Sequence, residues 1–381
     1  MPRCRFLGRC AIIIRQRHLI HFLKPGFCRD FGFSGCFELG AKIGDILEKR
    51  EVSFDELRGV VAVDAFNSLY QFLSIIRQRD GTPLMDSKGR ATSHLSGLFY
   101  RTCSFLEKGV KPVFVFDGKP SILKARTVQE RGERKQDALE KFKAAAEAGE
   151  EEEMRTYAMQ TTHLNSEMIG QSQKLLELLG VPWVQAKGEG EAQCSHMCRQ
   201  GVAIAACSQD FDSLLFGAPI LVRNLAISGK RKLPHRNTFV DVVPERFDLP
   251  GNLSRLGISQ KQLVWIGILS GTDFNKGVYG IGAKKALKLV LAHPDSFEDC
   301  LSDCKGEIGN WREVEKIFLH PGTFDVEKKD LEFKPPNAAE LEKYMCGEFE
   351  FSPERVRGAL SRAFSTDAAI DKQQAALGKW M

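Results

Sequence analysis

Short, almost unbroken apolar runs punctuate this chain. Val60–Asp64 (VVAVD), Pro112–Asp117 (PVFVFD), Val181–Gln185 and Val202–Ser208 are too short for helices and read as strands buried on both faces. Between them, apolar residues recur every three or four positions, which predicts amphipathic helices over Asn67–Arg79, Ser93–Lys108, Gln171–Leu179 and Glu191–Arg199. Gly109 and Gly180 stand where the second and third of these helices should stop. The strand–helix–helix–strand order argues an α/β fold with a mostly parallel twisted sheet and helical crossovers. Ile220–Leu225 and Thr238–Val243 flank the polar turn Ser228–Asn237, as the arms of a hairpin would. Beyond Pro250 the period is helical: Gln260–Leu269 is one helix, and Gly277–Lys288 is a glycine-rich turn running into another. After Ser365 the chain is polar and reads as a loose tail.

Two stretches break this pattern. Residues 1–38 have no sustained period and hold seven Lys/Arg against two acids. They read as a disordered basic extension, or as untranslated sequence with the true start at Leu39. Residues 119–171 are dense in Lys, Arg and Glu with few large apolar side chains, so they should be helical but weakly core-forming, projecting from the body.

Composition narrows the class. The net charge of +5 is carried by the extension, because the remaining 343 residues hold 47 basic and 47 acidic groups. Nucleic-acid binding must therefore rest on local basic patches. No apolar stretch approaches the ~20 residues of a membrane span, and a membrane role is not expected. The eleven cysteines show neither zinc-finger spacing nor a secretory leader and read as reduced thiols.

The chemistry lies in acids at strand ends. Asp64 and Asp117 close two apolar runs, Glu189 and Glu191 stand at a predicted helix start, Asp210 and Asp212 follow a third run, and Asp273 lies in LSGTD. Any one of these could be a helix-dipole or loop carboxylate. Seven together point to hard cations held by oxygen, Mg²⁺ or Mn²⁺, and to two-metal chemistry on phosphate. Lys124 and Arg131 are seven apart and would share one helix face. From there they would hold a phosphate.

The stretches VAVDAFNSLYQFL, DGTPLMDSKGRATSHLSGLFYRT, KPVFVFDGKP, EGEAQ, SQDFDSLLFG and GTDFNKGVYGIGAKKAL resemble those of the flap endonucleases, archaeal type, over residues 40–381. The resemblance implies a 5′-nuclease, PIN-like core built from 39–136 and 172–255, a helical arch over 119–171, a helix–turn–helix DNA-binding module over 256–364, and a tail, 365–381, carrying a sliding-clamp motif. It implies cleavage at the base of a 5′ flap, with 5′–3′ exonuclease activity, in replication and repair. A sister gap or junction nuclease and a noncatalytic clamp-associated DNA-binding protein stay open as alternatives.

By the same resemblance all seven acids serve two Mg²⁺ ions per subunit. Asp117, Glu189, Glu191 and Asp210 would hold one, and Asp212 and Asp273 the second, with Asp64 acting through water. Tyr70 would stack a base beside the cut. Arg126, Arg134 and Lys135 would line the arch. Gly280 and Gly282, with Lys284 and Lys285, would bind duplex and hold a monovalent cation. Gln374, Leu377, Trp380 and Met381 would meet the sliding clamp. Gly40 matches the family's second residue, which places the extension beside the site. The implied partners are flapped or nicked DNA and the clamp, the implied state a monomer, and the implied location cytoplasmic in an archaeon or nuclear in a eukaryote.

Overall fold

The computed structural model describes residues 41–377, apart from 79–80, 120, 125–135, 139, 143, 146, 149, 151–152, 154–156, 158–163, 227–228 and 233–238; for residues 122, 229–232, 239–241 and 366–377 only the backbone is described. The extension, most of the expected arch, and Arg126, Arg131, Arg134, Lys135, Trp380 and Met381 therefore lie outside the described residues.

Strand β1 (Arg50–Glu51) precedes β2 (Gly59–Asp64), which runs straight into helix α1 (Ala65–Ile75). Helix α2 (Ser93–Glu107) returns the chain to β3 (Val110–Phe116). Helix α3 (Ser166–Leu179) leads to β4 (Trp183–Gln185), α4 (Gly190–Arg199) to β5 (Ala206–Cys207), and the short α5 (Asp212–Leu215) to β6 (Ile220–Arg223). Strands β7 (Gly229–Lys232) and β8 (Phe239–Val242) pair with each other, and β9 (Glu245–Asp248) rejoins the main sheet. Helices α6 (Leu249–Leu256), α7 (Gln260–Ser270), α8 (Ala283–Ala292), α9 (Phe297–Asp303), α10 (Trp311–Leu319), α11 (Ala338–Glu342) and α12 (Pro353–Leu377) follow.

The main sheet has the order β1-β9-β6-β5-β2-β3-β4. Strands β6, β5, β2, β3 and β4 are parallel, while β9 and β1 join antiparallel at one edge. The continuous apolar runs follow from burial on both faces. Val61 and Val63 of β2 pack with Leu69, Phe72, Leu98 and Phe99 of α1 and α2. Ala62 packs the other way, with Val113 and Val115 of β3 and Cys194 and Met197 of α4. A separate core gathers α6 to α10 around α7, whose residues Leu263 to Leu269 are all buried. Leu221 of β6 and Phe247 of β9 belong to that core too and tie it to the sheet.

Three expectations need correction. Ile220–Leu225 does not pair with Thr238–Val243: β6 takes β9, in register Leu221↔Phe247, and the presumed turn itself contributes β7 to a separate ribbon with β8. Phe247 is buried against Phe211, so one aromatic outweighs the polar appearance of Glu-Arg-Phe-Asp. The strand expected over Val202–Ser208 shrinks to Ala206–Cys207, because residues 201–204 are spent on the turn out of α4. The backbone of α12 continues to Leu377 where a loose tail was expected, so Gln374 and Leu377 lie on a helix. No Gly or Pro interrupts residues 359–377, and the segment is rich in Ala, Asp, Lys and Gln. Among the described residues no helix is long and apolar enough to cross a membrane.

Candidate active site

Parallel pairing sets the carboxyl ends of β5, β2 and β3 side by side. Asp64 is opposite Val115, and Val63 opposite Cys207, so the acids that follow each strand emerge on one edge. Asp64 ends β2 by capping α1: its Oδ1 accepts the Asn67 N–H at 3.0 Å. Asp117, just past β3, caps a different helix. Its Oδ1 accepts the Gly190 N–H at 2.7 Å, drawing the start of α4, with Glu189 and Glu191, against it. Glycine is required at 190 because a Cβ there would lie 2.6 Å from that same oxygen. Glu191 is held by the Ser213 hydroxyl, which donates to Oε1 at 3.2 Å. Asp212 opens α5 and accepts the Ala41 N–H at 2.6 Å, so the first described residue is seated at the site.

Electrostatics show that all seven acids share one region. Burial pushes Asp64 up to about 7, and the charge of Asp117 adds to it. Burial pushes Asp117 up to about 6 against the attraction of Lys124, with Glu189 and Asp273 also repelling. Asp212 is raised to about 7 by burial and by Asp273. Glu191 is raised by burial and then by Asp212, Asp210 and Asp64. Asp210 is raised by burial and then by Asp212, Asp64 and Asp273. Burial works against the Lys124 ammonium, but the charges of Glu189, Asp117 and Asp273 outweigh it and hold its proton on. Lys124 ends a 3₁₀ turn, Ile122–Lys124, donates to Glu189 and lies 3.9 Å from Asp273. Its predicted place on a long helix face with Arg131 falls outside the described residues; what is described is a lysine set inside the acid cluster.

Sequence reasoning missed two positions. Asn67 accepts the Gln209 N–H at 3.2 Å and donates through Nδ2 to Asp210 Oδ2 at 2.9 Å, while its own N–H holds Asp64. Ser208 donates to Asp64 Oδ2 at 3.5 Å and accepts the Asp210 N–H at 3.2 Å. Both stand beside strand-end acids, in DAFN and CSQDFD, and a small polar residue in that place was the available signal.

Tyr70 lies on α1, half-buried and packed against the sheet core. Gly280, Gly282, Lys284 and Lys285 follow Asp273 by seven to twelve residues, on the turn before α8 and in its first residues. Among the described residues the carboxylates do not close into a group of three or more set for one ion. Their chemistry nevertheless suits hard divalent cations: the donors are all oxygen, and seven acids are offset nearby by Lys124 and, beside Asp210, Arg223.

A mostly parallel sheet with acids gathered at its carboxyl edge suits metal-dependent chemistry on phosphate, and similarity to known proteins places the chain among nucleases of the XPG class. The XPG N-terminal domain matches residues 39–138, and the XPG I-region matches residues 180–273. Flap endonuclease 1 of Aeropyrum pernix is 51% identical over 82% of this chain and 90% of its own length. Flap endonuclease 1 of Pyrococcus furiosus is 45% identical over 90% of this chain and 99% of its own length. The solved flap endonuclease-1 from Methanococcus jannaschii superposes with a TM-score of 0.68 at 38% identity, covering 87% of this chain and 99% of that one. The catalytic core of Rad2 in complex with DNA substrate, 22% identical, shares the fold with a TM-score of 0.61. This chain belongs to the flap endonuclease family. It is a structure-specific nuclease, a DNA-binding phosphodiester hydrolase of a divalent-metal-dependent family.

Proposed function

We propose that the chain hydrolyses the phosphodiester at the base of a 5′ flap, and trims 5′ ends as an exonuclease, using two Mg²⁺ ions for which Mn²⁺ can substitute. The convergence of seven acids from separate strands and turns on one sheet edge carries this reading. Asp117, Glu189, Glu191 and Asp210 would hold one ion, Asp212 and Asp273 would support the second, and Asp64 would act through water. Divalent cations there supply Lewis acidity, lowering the pKa of water and offsetting charge on the leaving oxygen. Water adds to phosphorus, the P–O3′ bond breaks, and the 3′ oxygen leaves protonated on the released flap. The duplex keeps a 5′-phosphate. Lys124 brings a fixed positive charge to where the scissile phosphate must sit, and Arg131 supplies a second. Asn67 and Ser208 keep Asp64 and Asp210 in fixed orientation.

The same reading extends to parts that support the reaction. Tyr70 stacks the base beside the cut. The expected arch, residues 119–171, would guide the single-stranded flap with Arg126, Arg134 and Lys135, although from Ser166 onward the chain belongs to core helix α3. The Gly280–Gly282 turn anchors duplex and holds a monovalent cation. Gln374, Leu377, Trp380 and Met381 would recruit a sliding clamp, and the chain would act as a monomer in replication and repair, in the cytoplasm of an archaeon or the nucleus of a eukaryote. Asp210→Ala tests the core of this proposal. It should abolish cleavage of a 5′-flap substrate in Mg²⁺ while flap binding persists; normal turnover would sink the metal role.

A further inference from the structure

The turn before α8 presents an aromatic ring that touches nothing. Tyr279 is 104% exposed, whereas Val278 before it and Ile281 two residues after it pack against the helical core. The Val278 N–H bonds the Leu269 carbonyl at 2.9 Å, and the Ile281 N–H bonds the Val278 carbonyl at 3.1 Å. Val278 also packs so tightly under Gly306 that a Cβ there would lie 2.6 Å from its Cγ2. Gly277 closes the turn at φ 69°, against Gly271. A turn so held cannot fold Tyr279 back onto the body. Single exposed apolar groups are common on proteins, but a ring held out this far by a braced turn is set to meet something outside.

Its surroundings say what. Gly280, at φ 77°, and Gly282 have no heavy atom within 4 Å of where a Cβ would be, so the backbone there is open to close approach. Helix α8 begins without a side-chain cap and without an acid in its first turn, and Lys284 and Lys285 occupy that turn. Lysines at a helix start oppose the helix dipole, so the arrangement favours an incoming anion over the isolated helix. The Lys285 ammonium donates to the Gly280 carbonyl at 2.9 Å, which adds positive charge to the turn itself.

We propose that Tyr279 is a positioning residue for substrate, its ring packing on the deoxyribose face of the duplex strand whose phosphates the Gly280–Gly282 turn and Lys284 receive. This rests on the duplex-anchoring role proposed above for that turn. The contact is apolar and so adds affinity without releasing counterions. Phosphate contacts by lysine behave otherwise, because each contributes to the salt dependence of binding.

The test is fluorescence anisotropy of a 5′-flap duplex with Ca²⁺ in place of Mg²⁺, across a salt series, on the parent chain and on Tyr279→Ala, Tyr279→Phe and Lys284→Ala. Tyr279→Ala should raise Kd about fivefold, the lower end for aromatic contacts with nucleic acid, by the same factor at every salt concentration. Tyr279→Phe should stay near the parent. Lys284→Ala should instead reduce the salt slope by about one. In Mg²⁺, Tyr279→Ala should raise KM by the same factor as Kd while cleavage at saturating DNA changes less than about twofold. A melting temperature equal to the parent's would show that the ring has no structural task. A Tyr279→Ala Kd within about twofold of the parent's, or an altered salt slope, overturns the inference while leaving the nuclease reading intact. A parent chain that neither binds nor cuts flap DNA overturns the functional reading itself.

Discussion

Asp212→Asn should make the metal-free protein more stable while disabling it. Asp212 is 3% exposed, and its carboxyl is pushed from 3.8 up to about 7 by burial and by the charge of Asp273. A folded-state pKa above the unfolded one means that the stabilising contribution is complete below about pH 4 and is lost as pH rises through 7. Three units correspond to about 4 kcal/mol. Because the neighbouring acids titrate together, part of that strain passes to them when Asp212 loses its charge, leaving an expected gain of about 2–4 kcal/mol at pH 8. Asparagine keeps the volume and the oxygen that accepts the Ala41 N–H at 2.6 Å, so little packing is lost. Urea unfolding followed by tryptophan fluorescence, in chelator, should show the gain at pH 8 and almost none at pH 4. Cleavage of flap DNA in Mg²⁺ should fall sharply in the same variant. Equal or lower stability of Asp212→Asn at pH 8 would refute the claim that the fold holds this charge against its own preference.

Asn67→Ala should lower flap cleavage about 10- to 100-fold, and its activity should need more Mg²⁺ to saturate, because Asp210 and the Gln209 N–H lose their side-chain partner while the backbone bond to Asp64 remains; a Mg²⁺ titration with unchanged midpoint and rate would rule this out. His94 is buried, bonded to Gln171 at 2.8 Å, and burial lowers its pKa to about 4. Its contribution is therefore full above about pH 6.5 and lost as pH falls toward 4, a span worth about 3 kcal/mol; against the parent, His94→Gln should flatten stability across that window, and parallel curves would contradict the assignment.

The strands that bear acids were legible because burial on both faces writes an apolar run, and a carboxylate closing such a run stands out. Val60–Asp64 and Pro112–Asp117 show this, and the observed β2 and β3 differ from them only at the ends. The pairing of β6 was not legible. Its partner, Glu-Arg-Phe-Asp, buries only Phe247 and looks like a loop, whereas the more apolar Phe239–Val242 segment spends its pairing on the basic β7. Edge strand β1, Arg50–Glu51, is exposed at both positions and carries no pattern at all. The acids were legible as a set, but Asn67 and Ser208 were not, since their importance lies in bonds across about 140 residues of chain. Lys124 was expected to hold a phosphate, but its ion pairs with Glu189 and Asp273 were hidden, because a charged, apolar-poor segment looks solvated whatever it reaches.

The acids of the site are drawn from positions 64 to 273, and Asp212 is braced by a backbone group at position 41. Translation delivers Asp273 last, after every strand of the main sheet and helices α6 and α7. A nascent chain released early, or one proteolysed between these points, would lack part of the ion-holding set and so could not cut the nucleic acid around it. Scattering the carboxylates along the polypeptide thus works as a safeguard, because competence to cleave cannot arrive before the whole main sheet and the first two helices that follow it have been made.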